Sequence, residues 1–89
     1  MIEQPVEIIN RLGLHARAAA KLVDCASRYS CAVKLRKESK EIDAKSIMAV
    51  MMLAAGQGSK LMLVLDGPDE HPACEALIAL INDRFGEPD

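Results

Sequence analysis

The chain has 89 residues, a length that suits one domain over residues 1–89, burying about 60 to 65% of its unfolded surface. Its formal charge is −2 and its only aromatic residues are Tyr29 and Phe85. It therefore offers neither a basic surface for phosphate backbones nor stacking platforms for bases. Nucleic acid is not an expected partner, and a deep substrate cavity is not expected in so short a chain.

Neither a membrane span nor a disulfide framework is indicated. Residues 1–5 do not form the basic start of an export signal, and the longest apolar run, residues 47–55, is too short to cross a bilayer. The three cysteines are Cys25, Cys31 and Cys74, and no two of them have the C-x-x-C spacing. We therefore expect free, buried thiols. The sequence predicts a soluble cytoplasmic protein with no metal and no cofactor.

The first half of the chain predicts a strand, a helix and a hairpin. Residues 2–8 alternate between apolar and polar side chains, and Pro5 among them favours an edge strand or a later start. Residues 16–28 have apolar side chains at helical spacing, with charged residues on the other side. Residues 31–36 alternate again, and a polar stretch separates them from a shorter strand around Ile42.

The second half predicts a short helix, a buried strand and a last helix. Ser46 precedes an apolar stretch, and Gly56 suits the left-handed position that follows a helix. Residues 59–66 form the strand, Asp69 caps the last helix, and Gly86 lies past its end. The order βαββαβα favours an α+β fold with an antiparallel or mixed sheet and helices packed on one face. The buried stripe of the last helix is predicted to be Ala73, Leu77, Leu80 and Ile81.

His15 stands where the first helix begins. The amides of Ala16, Arg17 and Ala18 are then unpaired donors that point back toward the ring. The positive end of the helix dipole disfavours a charged ring, and neutral imidazole is the form that attacks phosphorus. A phosphoryl group on the ring would accept hydrogen bonds from these amides and a charged contact from Arg17. Gly13 would allow a tight turn and the close approach of a partner's backbone or of phosphate.

Two segments, GLHARAAAKLV and, thirty residues on, AKSIMAVMMLAAGQGS, closely resemble the HPr family. These proteins are the histidine phosphocarriers of the bacterial phosphoenolpyruvate-dependent phosphotransferase system, and the resemblance extends over essentially the whole chain. It implies an open-faced β-sandwich, in which three helices cover one face of a four-stranded antiparallel sheet. That architecture agrees with the element order predicted above.

The resemblance also implies roles for individual residues. His15 matches the histidine that accepts a phosphoryl group on Nδ1 from enzyme I and passes it to an enzyme IIA domain. Arg17 matches the arginine that accompanies the phosphoryl group. Ser46 matches a serine that a dedicated HPr kinase/phosphorylase modifies in many bacteria. Ala18 replaces the proline that is common in the family, which adds one amide donor and high helix propensity.

The short helix after Ser46 is apolar on nearly all sides. A helix that lies on a sheet needs only one apolar stripe, and the pattern alone would bury the bulkier side. That side holds Ile47, Met48, Met51 and Met52, and the other side holds Ala49, Val50 and Leu53. In similar proteins, the positions of Ile47, Met48 and Met51 are instead exposed and dock enzyme I and IIA partners.

We therefore hypothesise a docking patch around His15, with two basic residues at its rim. Methionine side chains suit a surface that must fit several partners. The docking patch comprises Leu14, Ala20, Ile47, Met48 and Met51, and its rim comprises Arg17 and Lys21.

Other functions remain open at this stage. The chain has no phosphate-binding glycine loop, no metal-ligand cluster and no obvious acid/base pair beyond His15, so we expect a stoichiometric relay rather than an enzyme, working as a monomer. The segment ALIALINDRFGEPD looks somewhat like the nitrogen-related paralogues that act on a regulatory IIA. A scaffold module in which His15 only caps a helix is a further alternative, and His71 is expected to be an ordinary surface residue.

Overall fold

The computed structural model describes residues 1–88 and contains four strands and three α-helices in the predicted order βαββαβα, followed by one 3-10 turn. All strand pairs are antiparallel, in the spatial order β1-β4-β2-β3. The predicted α+β open-faced sandwich is confirmed. The strands are β1 (Ile2–Glu7), β2 (Ala32–Lys37), β3 (Lys40–Asp43) and β4 (Lys60–Asp66); the helices are α1 (Ala16–Ser27), α2 (Ile47–Met52) and α3 (Glu70–Asn82), and the 3-10 turn is Arg84–Gly86.

Strand alternation directs one face of the sheet toward the helices. Leu65 on the central strand β4 pairs with Ile2 of β1 and Val33 of β2, so apolar side chains align across three strands. β1 is an edge strand, which tolerates Pro5 because the unpaired side needs no amide. The buried faces of the helices complete the core, contributing Ala18, Ala19, Leu22, Ala26, Val50, Ala73, Cys74, Leu77 and Ile81.

Element ends differ from the sequence prediction in small but informative ways. The hairpin turn is shorter than predicted, because β2 and β3 pair out to Lys37 and Lys40. The left-handed residue after α2 is Ala54, with φ 54°, and not Gly56. Both neighbours of Ala54 are buried, so the chain has to reverse directly after the helix and before the glycine.

Asp69 occupies the N-cap position of α3, but its carboxylate does not bond to that helix. It accepts hydrogen bonds from the amides of Ser30 and Cys31, both at 2.8 Å, and so joins the start of β2 to the start of α3. The hydrogen bond from the backbone amide of Ser30 is the main cause that lowers the pKa of Asp69. The carboxylate of Glu70 accepts from the amide of Gly67 at 3.0 Å and supports the helix start instead.

Gly13 lies where two backbone segments cross. Its φ is +68°, and an added Cβ would stand 2.6 Å from the carbonyl oxygen of Ala55 and 2.7 Å from Cα of Gly56. The tight turn predicted at Gly13 is present, but this glycine is buried against the chain's own backbone. The expectation that it admits a partner's backbone or a phosphate was therefore wrong.

We predict that Gly13→Ala lowers the free energy of unfolding by about 2 kcal/mol, because strain at positive φ adds to a clash with rigid backbone. Gly56→Ala is the matched control, since Gly56 is exposed with open space around its missing side chain, and a change within about 0.5 kcal/mol is expected. Urea unfolding of both variants measures the difference. Equal stability of the two would contradict a tight crossing at Gly13.

Candidate functional site

His15 is the N-cap residue of α1, with extended backbone angles (φ −74°, ψ 177°). Its carbonyl accepts the first helical bond, from the amide of Ala19 at 2.8 Å, while its ring makes no capping bond. Within residues 1–88, no acceptor binds the amides of Ala16, Arg17 and Ala18. The helix thus begins with three free donors beside a ring whose side chain is 28% exposed.

The ring of His15 is bonded to a carboxylate that the sequence did not reveal. Nε2 of His15 forms a hydrogen bond with Oε2 of Glu87, a residue 72 positions further along the chain. The other carboxylate oxygen, Oε1, accepts from Nδ2 of Asn10 at 2.9 Å. Sequence reasoning did not identify this partner of His15, because Glu87 comes from a segment far away along the chain.

Asn10 orients the Glu87 carboxylate from the buried side of the site. The Asn10 side chain is fully buried, and its Nδ2 also donates to the carbonyl of Gly13 at 2.8 Å. The side chain of Glu87 is only 13% exposed. The hydrogen bond from Asn10, and after it the one from His15, lower the pKa of Glu87, so this carboxyl group is ionised near neutral pH.

Residues 84–88, the return segment, bring Glu87 back to the start of α1. Arg84, Phe85 and Gly86 all have positive φ, at 55°, 54° and 77°, which turns the chain sharply after α3. The Phe85 side chain is buried in the core, and its carbonyl accepts from Nζ of Lys21 at 2.6 Å. Lys21, predicted at the basic rim, therefore fastens the return segment.

A surface cleft of about 630 Å³ opens beside His15. Arg17 is exposed on its wall, and no side chain in residues 1–88 pairs with its guanidinium. Leu12, which the sequence analysis did not select, is 63% exposed in the same cleft. The lining residues are Arg11, Leu12, His15, Ala16, Arg17, Glu87 and Pro88.

The exposed side of α2 is the methionine face, formed by Ile47, Met48, Met51 and Met52. These side chains are between 41% and 69% exposed, whereas Val50 and Leu53 are buried. Burial of the bulkier side, which pattern alone favoured, is therefore wrong. The helix is anchored instead by its smaller aliphatic side, and α1 packs beside it.

Two other members of the docking patch behave differently. Ala20 is exposed on α1, as the patch requires. Leu14 is only 6% exposed and belongs to the core, so its assignment to an exposed patch was wrong. The amide of Leu14 donates to the carbonyl of Ala55 at 2.8 Å, which draws this residue inward under α2.

Ser46 is the N-cap residue of α2, and its hydroxyl oxygen accepts from the amide of Ala49 at 3.3 Å. The bond is long, and the residue is only partly buried. A hydroxyl in this position stabilises the helix start and remains accessible from solvent. The capping role predicted for Ser46 is therefore present in the structure.

Other predicted features lie away from the cleft. Cys25, Cys31 and Cys74 are free thiols, Cys25 being only half-buried, and burial raises the pKa of all three. His71 is exposed at the start of α3. In residues 1–88 no helix could cross a membrane, and no group of three or more His, Cys, Asp or Glu side chains could hold a metal ion.

An open-faced sandwich that places a histidine at an unpaired helix start defines a class of small histidine phosphocarriers. The chain belongs to the HPr family of the phosphotransferase system. A family model described as "PTS HPr component phosphorylation site" matches residues 2–83.

Relatives support this assignment over nearly the full length. The phosphocarrier protein HPr of Cupriavidus necator is 55% identical over 87 residues, covering 98% of both chains. A crystal structure of HPr-C-His from Thermoanaerobacter tengcongensis superposes with a TM-score of 0.97 at 44% identity, covering 100% of both chains. An HPr dimer from that organism gives a TM-score of 0.79 at 45% identity, covering 98% of this chain and 100% of the other.

Proposed function

We propose that this chain accepts a phosphoryl group on Nδ1 of His15 from phosphorylated enzyme I and passes it to enzyme IIA domains in the cytoplasm. The observation that carries this proposal is a partly exposed imidazole that stands beside three unpaired helix amides and the exposed guanidinium of Arg17. Membership of the HPr family supports it.

The chemistry needs little from this chain beyond position and charge. The lone pair of Nδ1 forms the nitrogen–phosphorus bond while the bond between phosphorus and enzyme I breaks. The amides of Ala16, Arg17 and Ala18 and the Arg17 side chain stabilise the negative oxygens. The same group then leaves for IIA, so the chain acts as a stoichiometric carrier, and each partner supplies the remaining catalytic groups.

The docking surface combines the methionine face with Ala20 of α1. Both lie on exposed sides of two packed helices, and α1 begins at His15. Flexible, polarizable methionine side chains fit partners of different shape. One surface can therefore serve both the donor and the acceptor, one after the other, without a large or permanent interface.

We predict that enzyme I and phosphoenolpyruvate add one phosphoryl group to the chain, and that His15→Ala abolishes the addition. His71→Ala is the matched control and should accept the group normally, because His71 is exposed at the start of α3 and does not line the cleft beside His15. Intact-mass spectrometry at mildly alkaline pH measures the addition, since phosphohistidine survives there and is lost in acid. If active enzyme I added nothing, His15 would be a helix cap in a scaffold module.

Met48→Asp is expected to weaken docking without unfolding the protein. The side chain is 69% exposed, so stability should change by less than about 0.5 kcal/mol, whereas KM for phosphorylated enzyme I should rise about tenfold. Ala79→Asp places the same charge on an exposed position of α3 and should leave KM unchanged. A large loss of stability in Met48→Asp would show that this side chain belongs to the core.

Ser46 is proposed as a regulatory phosphorylation site for an HPr kinase/phosphorylase. A phosphate at the N-cap of α2 is tolerated by the helix but adds charge beside the methionine face. Ser46→Asp should therefore slow transfer from enzyme I about tenfold while the protein stays folded. Ser27→Asp, at the end of α1 remote from His15, is the control. An unmodified transfer rate in Ser46→Asp would reject inhibition by surface charge.

A further inference from the structure

The Glu87 carboxylate is the feature of the cleft that the proposed function leaves unused. It approaches His15 on the ring edge opposite the nucleophilic nitrogen, from a segment that the sequence does not connect to the site. We propose that Glu87 is a positioning residue: it holds a hydrogen on Nε2 of His15 and thereby keeps the lone pair on Nδ1. This proposal rests on the phosphocarrier function proposed above and assigns a residue to it.

Hydrogen-bond chemistry fixes the tautomer. An ionised carboxylate can only accept, so the Nε2 atom that contacts Glu87 has to carry the hydrogen. In a neutral imidazole the other nitrogen, Nδ1, is then unprotonated. No side chain or backbone group of residues 1–88 bonds to Nδ1. The ring is thus prepared for attack through one nitrogen.

Both oxygens of the Glu87 carboxylate are hydrogen-bonded, and the backbone that carries the residue is fastened nearby, unlike a contact between two mobile surface side chains. Oε1 takes the hydrogen bond from buried Asn10, so Oε2 is the atom left for the ring. Lys21 binds the carbonyl of Phe85, two residues before Glu87. The hydrogen bond from Asn10, then that from His15, lowers the pKa of Glu87, and the charge of Lys21 acts in the same direction, so the carboxylate stays an acceptor at neutral pH.

The same contact balances charge during transfer. When Nδ1 forms its bond to phosphorus, the ring becomes a phosphoimidazolium that keeps its hydrogen on Nε2. The positive charge then lies against the Glu87 carboxylate, as in catalytic dyads where a carboxylate orients and stabilises a histidine. When the nitrogen–phosphorus bond breaks toward the acceptor, the electron pair returns to Nδ1. No proton has to move in either direction.

Glu87→Gln tests this role with almost no change in shape. The glutamine oxygen would accept from Asn10 in place of Oε1, which turns the amide NH₂ toward Nε2. A donor in that position demands an unprotonated Nε2 and moves the hydrogen to Nδ1. The variant should therefore invert the tautomer and slow phosphorylation by enzyme I about tenfold.

Long-range 1H–15N spectra of histidine-labelled protein at mildly alkaline pH report the tautomer, and quench-flow with phosphorylated enzyme I reports the rate. Glu75→Gln, which removes the same charge from an exposed site on α3, is the control and should match the unmodified protein in both. Glu87→Gln should differ in both. An unchanged tautomer or an unchanged rate in Glu87→Gln would overturn the role of Glu87.

The two proposals fail in different ways. If the unmodified chain is not phosphorylated on His15, the carrier function and the role of Glu87 are both overturned. If the unmodified chain is phosphorylated normally and Glu87→Gln behaves identically, only the role of Glu87 is overturned. Thermal unfolding of Glu87→Gln checks that the return segment has not simply detached and altered the fold.

Discussion

The structure depends on one backbone crossing, where residues 13–14 pass against residues 55–56. The crossing fixes where α1 begins relative to the end of α2, through the Leu14 to Ala55 hydrogen bond and the missing side chain of Gly13. Because His15 follows directly, the crossing also fixes the backbone of His15 relative to the end of α2. A bulkier residue at position 13 would separate the two segments, and with them the start of α1 from the end of α2.

His15 has two ring nitrogens in two different environments within residues 1–88. Nε2 is hydrogen-bonded to the Glu87 carboxylate, and Asn10 keeps that carboxylate in place through a second hydrogen bond. The first amides of α1 and the Arg17 guanidinium are the donors that bind the phosphoryl oxygens in the function proposed above. In the function proposed above, this asymmetry selects the reacting atom, and enzyme I and IIA supply the remaining catalytic groups.

Local patterns were enough to predict the order of strands and helices and the place of His15, whereas the four-stranded antiparallel sheet was implied by the family resemblance. Alternation in β4, helical spacing in α1 and the position of His15 before Ala16 all follow from near neighbours. The failures have a common physical cause, which is contact between residues far apart in sequence. Leu14 is buried where its amide bonds to the carbonyl of Ala55, and Glu87 reaches His15 only because the chain reverses after α3.

The most direct test is to locate phosphorus on the ring of the phosphorylated chain. A 1H–15N spectrum that resolves coupling to 31P distinguishes attachment at Nδ1 from attachment at Nε2. The account predicts the phosphoryl group on Nδ1, with hydrogen retained on Nε2 beside Glu87. A phosphoryl group on Nε2 would contradict it, because the Glu87 carboxylate and the transferred group would then have to occupy the same place.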